Sequence, residues 1–161
     1  SLIALGASVV MTSSSGQREL PLQEFYLDYY ETDVRPGEVL TSLVIPPAPP
    51  GSGAAYLKFL PRTADDYATV SAAAVVTRSS ENLCEDLRLV LGSVGVTPVR
   101  AVESEKLLRG QPLTDENIRA AAAAVKDVID PLDDYRGSAE YKREMAEVFA
   151  RRAIEKALEG I

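Results

Sequence analysis

The chain is expected to be an α+β protein in which a small antiparallel sheet packs against a helical layer. Three observations predict this. Apolar segments of strand length fill most of residues 7 to 91, clusters of Gly, Pro and Ser separate them, and from residue 100 onward the apolar period lengthens to that of helices.

Val9 and Val10, within Ala7 to Thr12, predict a first strand, and Ser13-Ser14-Ser15-Gly16 predicts the turn into a second around Arg18 to Leu20. Leu22 to Tyr30 carries Phe25, Tyr26, Tyr29 and Tyr30 and reads as a short helix or an irregular packed segment. After a turn at Arg35-Pro36-Gly37, Glu38 to Pro46 reads as a strand, with Val39, Leu43 and Ile45 on one face and Leu40, Ser42 and Val44 on the other. Both faces are expected to be covered by apolar surface. The run from Pro46 to Gly53 lacks amide donors at its prolines and has a loose backbone at its glycines, so it is expected to be a domain boundary, with residues 1 to 52 before it and 53 to 161 after it.

Beyond the boundary, Ala54 to Leu60 alternates, with Tyr56, Lys58 and Leu60 on one face and Ala55, Leu57 and Phe59 on the other. Ala68 to Thr77 and Leu83 to Leu91 complete three consecutive strands, which predicts an antiparallel meander. A helix around Arg100 to Leu108 is expected to stop at Gly110, and another to start after Thr114, whose hydroxyl caps it ahead of Asp115 and Glu116. Ile118, Ala122, Val125 and Ile129 form its apolar face, and the alanines from 120 to 124 suit close helix packing. Ser138 is placed to cap a last helix whose buried stripe is read as Tyr141, Met145, Val148 and Phe149, opposite Lys142, Arg143, Glu147 and Arg151.

With 161 residues, 46% of them hydrophobic, the chain has ample material for a core. No apolar run approaches the roughly 20 residues of a membrane helix, so no membrane partner is expected. The formal charge of -7 disfavours nucleic acid. The chain contains no histidine, which excludes Ser-His-Asp and Cys-His catalysis, and its having one cysteine, Cys84, excludes an internal disulfide and a cysteine-ligated cluster or structural zinc site within it. No metal site is expected, and Cys84 reads as a small core residue. A reducing cytoplasm fits these features. The segment Ser1 to Gly6 has no basic region and does not read as a signal peptide, and the missing initiator Met reads as an internal or processed fragment.

Four motifs then occur in order: Arg35-Pro36-Gly37-Glu38-Val39-Leu40-Thr41 with Ile45-Pro46; Tyr56-Leu57-Lys58-Phe59 with Arg62, Asp65, Asp66, Ala68 and Val70; Leu91-Gly92-Ser93-Val94-Gly95-Val96-Thr97-Pro98-Val99-Arg100; and Arg136-Gly137-Ser138-Ala139-Glu140-Tyr141-Lys142-Arg143. Together they resemble the C-terminal part of FAD-binding medium subunits in the molybdenum hydroxylases of the carbon monoxide dehydrogenase and xanthine dehydrogenase type. The resemblance implies that residues 53 to 161 form that family's C-terminal domain. Residues 1 to 52 would be the end of an α/β FAD-binding domain, because Leu2 to Ala7 is similar to the segment after the family's second flavin-contact loop. The glycine-rich loops that cradle the FAD pyrophosphate in this family lie upstream and are absent from this sequence.

The resemblance also supplies roles. Lys58 matches the family lysine that approaches the flavin ring, where an ammonium favours the negative charge of the reduced ring near N1 and O2. Read from the residues alone, it is an edge-strand lysine whose stem packs while its head reaches water. Leu40 matches a position bordering the isoalloxazine, though a leucine in an apolar strand is ordinarily core. Neither is catalytic. The loop Arg62 to Tyr67 corresponds to a segment beside the flavin; its usual second basic residue is Thr63 here, which puts nicotinamide specificity in doubt. Arg62 either pairs locally with Asp65 or Asp66 or is, like them, a solvated loop charge, and Arg100, Arg136, Glu140 and Tyr141 are expected to be structural.

The implied function is electron transfer from iron-sulfur clusters through FAD to an acceptor. The implied partners are an iron-sulfur small subunit and a molybdopterin large subunit, and a homodimer is also considered. The chain alone is expected to be inactive. The rival expectation is a truncated domain that binds no flavin and acts as a dimer or docking module.

Overall fold

The computed structural model describes residues 1–60 and 67–161, and the pairing considered for Arg62 with Asp65 or Asp66 lies outside them. Strands β1 (Ser8–Ser13) and β2 (Gly16–Pro21) form the expected hairpin, and β5 (Val39–Val44) joins the other side of β1, giving a sheet of order β2-β1-β5. All its neighbours are antiparallel. A one-turn helix, α1 (Leu22–Phe25), follows β2 and buries Leu22 and Phe25 against Ala7, Val9 and Met11. The segment then changes to β3 (Tyr26–Asp28), which pairs with β4 (Glu31–Thr32). Tyr30, at the tip between them, has φ 55 and is fully exposed.

The second sheet runs β6 (Ser52–Phe59), β7 (Val70–Arg78), β8 (Cys84–Gly92) and β9 (Val99–Arg100), each antiparallel to the next. The expected meander is present and gains a fourth strand, β9, one residue before helix α2 (Val102–Leu108). Leu89 accepts a backbone hydrogen bond from Ala101 at 2.8 Å, which ties the start of α2 to the sheet.

The helical layer continues with α3 (Asp115–Ala123), a 3₁₀ turn over Ala124–Asp127, and α4 (Ala139–Leu158). Both expected caps form: the Thr114 hydroxyl accepts from the Asn117 amide at 3.3 Å, and the Ser138 hydroxyl from the Tyr141 amide at 3.1 Å. Each satisfies an amide that the first helical turn leaves without a partner. The expected apolar face of Ile118, Ala122, Val125 and Ile129 is buried, although α3 ends before the last two.

The buried stripe of α4 differs from expectation. Lys142, Ala146, Ala150, Ala153, Ile154 and Ala157 are buried, Met145 and Phe149 are only partly so, and Tyr141 is 42% exposed. Close approach explains the difference. A Cβ on Gly53 would land on the Ala157 carbonyl oxygen, so helix and sheet approach to a distance that only small side chains permit. The larger residues Tyr141 and Phe149 lie toward the other end of β6, where they meet Phe59 with ring centroids 6.3 Å and 5.1 Å apart.

The main core lies between the sheet and helices, built from Val70, Ala72, Ala74 and Val76 of β7 and Leu87, Leu89 and Leu91 of β8 against α4. Cys84 is fully buried at the start of β8, and burial pushes its thiol up to about 11. The other sheet face carries Ala73 and Val90, on which Ala4 of the N-terminal turn is buried. The first and last parts of the chain therefore meet across this sheet.

Strand β5 corrects a second expectation. It is exposed along its length rather than covered on both faces. The pairing register explains the faces: Leu43 lies opposite Val9 and Leu40 opposite Met11, with a shift between Val10 and Met11 that leaves Thr41 as the extra residue of a bulge. Directly opposed residues share a sheet face, so the bulge places Leu40 with Leu43, not across from it. Val39, Ser42 and Val44 take the other face.

Candidate functional site

Lys58 stands on β6 opposite Ser71, in the row that continues through Tyr56 and Ala54, which are opposite Ala73 and Val75. Leu57 and Phe59 turn toward the helices, so Lys58 and Tyr56 point to the other face; both are exposed. Strand alternation and the apolar helical layer fix this orientation. Leu40 is 40% exposed on β5 of the other sheet. The two residues expected from the resemblance therefore lie on different sheets, each at the surface.

Leu40 has surroundings that the residue pattern did not reveal. Arg18 of β2 lies opposite Met11, and Met11 lies opposite Leu40, so the three form one cross-strand row. The Arg18 guanidinium spans to the segment before β5: Nε donates to Glu38 Oε1 at 2.7 Å, Nη2 to Glu38 Oε2 at 2.8 Å, and Nη1 to Asp33 Oδ2 at 2.6 Å. Nη2 also donates to the Asp33 carbonyl. Glu38 accepts the Arg35 amide at 2.8 Å, which closes the Arg35-Pro36-Gly37 turn. At the bulge, the Thr41 and Thr12 hydroxyls are 2.8 Å apart.

The hydrogen bonds from Arg18, and then from the Arg35 amide, hold the Glu38 carboxyl down at about 2 from its ordinary 4.5. A folded value below the unfolded one adds stability that is present above the unfolded value and is lost as pH falls through the folded one. The melting-temperature difference between the parent and Glu38→Gln is therefore expected to be level near neutrality and to shrink between pH 4.5 and 2. A thermal melt series across that range checks this.

A second polar cluster borders the first part of the chain. Tyr29, Tyr67, Ser93, Leu132, Arg136 and Lys142 line a cleft of about 220 Å³. Arg136 stacks 4.1 Å from the Tyr135 ring centroid and 5.4 Å from that of Tyr67. Lys142 is buried and donates to the Leu132 carbonyl at 2.6 Å and to Asp134 at 2.9 Å, which holds the Asp134 carboxyl below its ordinary value. Arg136 thus packs on two aromatic rings at the rim of this cleft. Arg100 keeps its structural role, with Nε and Nη2 donating to the buried Glu105 at 2.8 and 2.9 Å. No group of potential metal ligands occurs among the described residues. Among them, too, no helix is long and apolar enough to cross a membrane.

Comparison with known proteins identifies the arrangement. Residues 55–157 match the family model of the CO dehydrogenase flavoprotein C-terminal domain. The chain belongs to this family. Residues 1–48 match a second model, the FAD binding domain in molybdopterin dehydrogenase, so the sheet that carries Leu40 and the sheet that carries Lys58 each match a flavoprotein model. The chain is 40% identical to the carbon monoxide dehydrogenase medium chain of Afipia carboxidovorans over 153 residues, covering 95% of this chain and 52% of that protein. It is 34% identical to the 6-hydroxypseudooxynicotine dehydrogenase complex subunit alpha of Paenarthrobacter nicotinovorans, covering 98% of this chain and 53% of that one. Among solved structures, reconstituted CO dehydrogenase from Oligotropha carboxidovorans superposes with a TM-score of 0.91 at 39% identity, covering 98% of this chain and 55% of that chain. The chain spans about half the length of the curated relatives it matches.

Family membership agrees with the α+β class expected from the sequence, a small antiparallel sheet under a helical layer. Lys58 and Leu40 were expected from the resemblance, whereas the ion pairs of Arg18 and the place of Tyr29 in the cleft were not expected.

Proposed function

We propose that the chain is the flavin-facing C-terminal part of a medium subunit in a molybdenum hydroxylase, which passes electrons from iron-sulfur clusters through FAD to an acceptor. The observation that carries this reading is the 40% identity to a carbon monoxide dehydrogenase medium chain over 95% of the sequence, spanning both flavoprotein matches. The proposed partners are an iron-sulfur small subunit and a molybdopterin large subunit. The division at residues 52 and 53, between the end of the FAD-binding domain and the C-terminal domain, belongs to the same proposal, as does a cytoplasmic location.

The residues present suit a flavin edge. An exposed ammonium at Lys58 and a half-exposed apolar ledge of Leu40 and Leu43 match the two needs of an isoalloxazine, a cation where charge develops and a flat apolar border. Bound FAD would supply the redox chemistry. Lys58 would stabilise negative charge at the pyrimidine edge of the ring, and Leu40 would keep water from its border.

Lys58→Met in the FAD-loaded native subunit is therefore expected to lower the two-electron midpoint potential by about 30 mV, the equivalent of roughly 1.4 kcal/mol. Spectroelectrochemical titration measures it. An unchanged potential would remove Lys58 from the flavin's surroundings.

A further inference from the structure

We propose that Arg18 is a positioning residue for the flavin edge: by clamping Glu38 and Asp33 across β1, and together with the Thr41 bulge, it sets where Leu40 points. This inference rests on the placement of Leu40 at the flavin in the preceding section. Nothing in the sequence resemblance touches Arg18.

The geometry is a lever with two fixed points. Arg18, Met11 and Leu40 occupy one cross-strand row, so Arg18 sits two strands from Leu40 on the same face. Its guanidinium bypasses β1 and grips both oxygens of Glu38, two residues before Leu40, at 2.7 and 2.8 Å. A bidentate fork fixes direction as well as distance, which a single bond would not do. On the other side of Leu40, Thr41 is held out of the ladder by contacts of its hydroxyl with that of Thr12 at 2.8 Å and with the Val10 carbonyl at 3.3 Å. Bulges bend a strand and re-aim its side chains, and this one lies next to the residue that must border the ring.

Among the described residues β5 is an edge strand of its sheet and its side chains are exposed, so the clamp and the bulge are its side-chain ties to β1 and β2 on this face. The ion pair is partly exposed, with side-chain exposure of 24% for Arg18 and 11% for Glu38, which suits orientation better than stability.

The test uses the full-length native subunit loaded with FAD and the variants Arg18→Met, Arg18→Lys, Glu38→Gln, Leu40→Ala and the double variant Arg18→Met with Leu40→Ala. The readouts are the visible circular dichroism of the flavin and the dissociation constant for FAD. Arg18→Met is expected to change the flavin dichroism and weaken FAD binding about fivefold, with a smaller change for Arg18→Lys. Glu38→Gln should reproduce the effect if Arg18→Met folds poorly. In the Leu40→Ala background, Arg18→Met should add nothing, because its target is gone. Arg18→Met and Glu38→Gln that lower the melting temperature yet leave dichroism and affinity unchanged, while Leu40→Ala alters both, would overturn the positioning role alone. An Arg18→Met effect undiminished in the double variant would also overturn it. Unchanged flavin signals in Leu40→Ala would overturn the placement of Leu40 and this inference together.

Discussion

Gly53→Val is expected to destabilise the fold by about 3 kcal/mol, with the loss concentrated where β6 meets the end of α4. The reason is steric. A Cβ at this position would fall on the Ala157 carbonyl oxygen and within 3.1 Å of the Ala157 carbonyl carbon, and both are backbone atoms that no rotamer change can move. Helix and strand would have to separate, which would open the contact made by Ala150, Ala153 and Ala157 along the sheet. Even Gly53→Ala should show most of the effect, because the first added carbon makes the clash. Gly37 is a useful contrast: its φ of 82 is strained for other residues, but a Cβ there meets nothing within 4 Å. Gly37→Ala should cost only about 1 kcal/mol, the price of the left-handed conformation. Urea denaturation of the three variants measures the difference. Equal losses at the two sites would mean that the helix does not sit on Gly53 as closely as described.

Glu105→Leu is the second large effect, again about 3 kcal/mol, because it removes a buried acceptor with three donors. Glu105 is 1% exposed. Its Oε1 accepts the Leu89 amide at 3.0 Å and Arg100 Nε at 2.8 Å, and its Oε2 accepts Arg100 Nη2 at 2.9 Å. Arg100, at 33% side-chain exposure, can turn to water when its partner is lost, whereas the Leu89 amide in the middle of β8 cannot. Glu105→Gln keeps an oxygen for that amide and should cost about half as much. The carboxylate also joins β8, β9 and α2, so its loss should loosen the start of the helical layer first. Amide hydrogen exchange at Leu89 and across Val102–Leu108 would report this, and protection retained in Glu105→Leu would contradict it.

Much of this fold is legible in the residues because it is locally encoded. The caps at Thr114 and Ser138 needed only a hydroxyl before a helical run, and the meander needed only alternation between turn-forming clusters. The buried face of α4 was misread because large side chains were taken as core. The alanines at 146, 150, 153 and 157 already carried the helical period, and a glycine on the facing strand was the sign that small residues would win. The bulge at Thr41 was not legible in the same way. Register belongs to a pair of strands, and β5 alone gives no sign of where it slips against β1.

The site divides along the same line. Alternation correctly placed Lys58 away from the helical layer, and β5 carries Leu40 at the surface because no element of the described chain packs over it. Arg18 escaped notice because its partners lie 15 and 20 residues away, beyond any short motif. Its ion pairs become visible only when β2, β1 and β5 are set side by side.

The most direct test of the account is the visible absorption spectrum of the native polypeptide that carries this sequence, purified and incubated with FAD, then freed of unbound cofactor. The account predicts a yellow protein with one flavin per chain. A folded protein that stays colourless would contradict it and show that this chain does not serve a flavin.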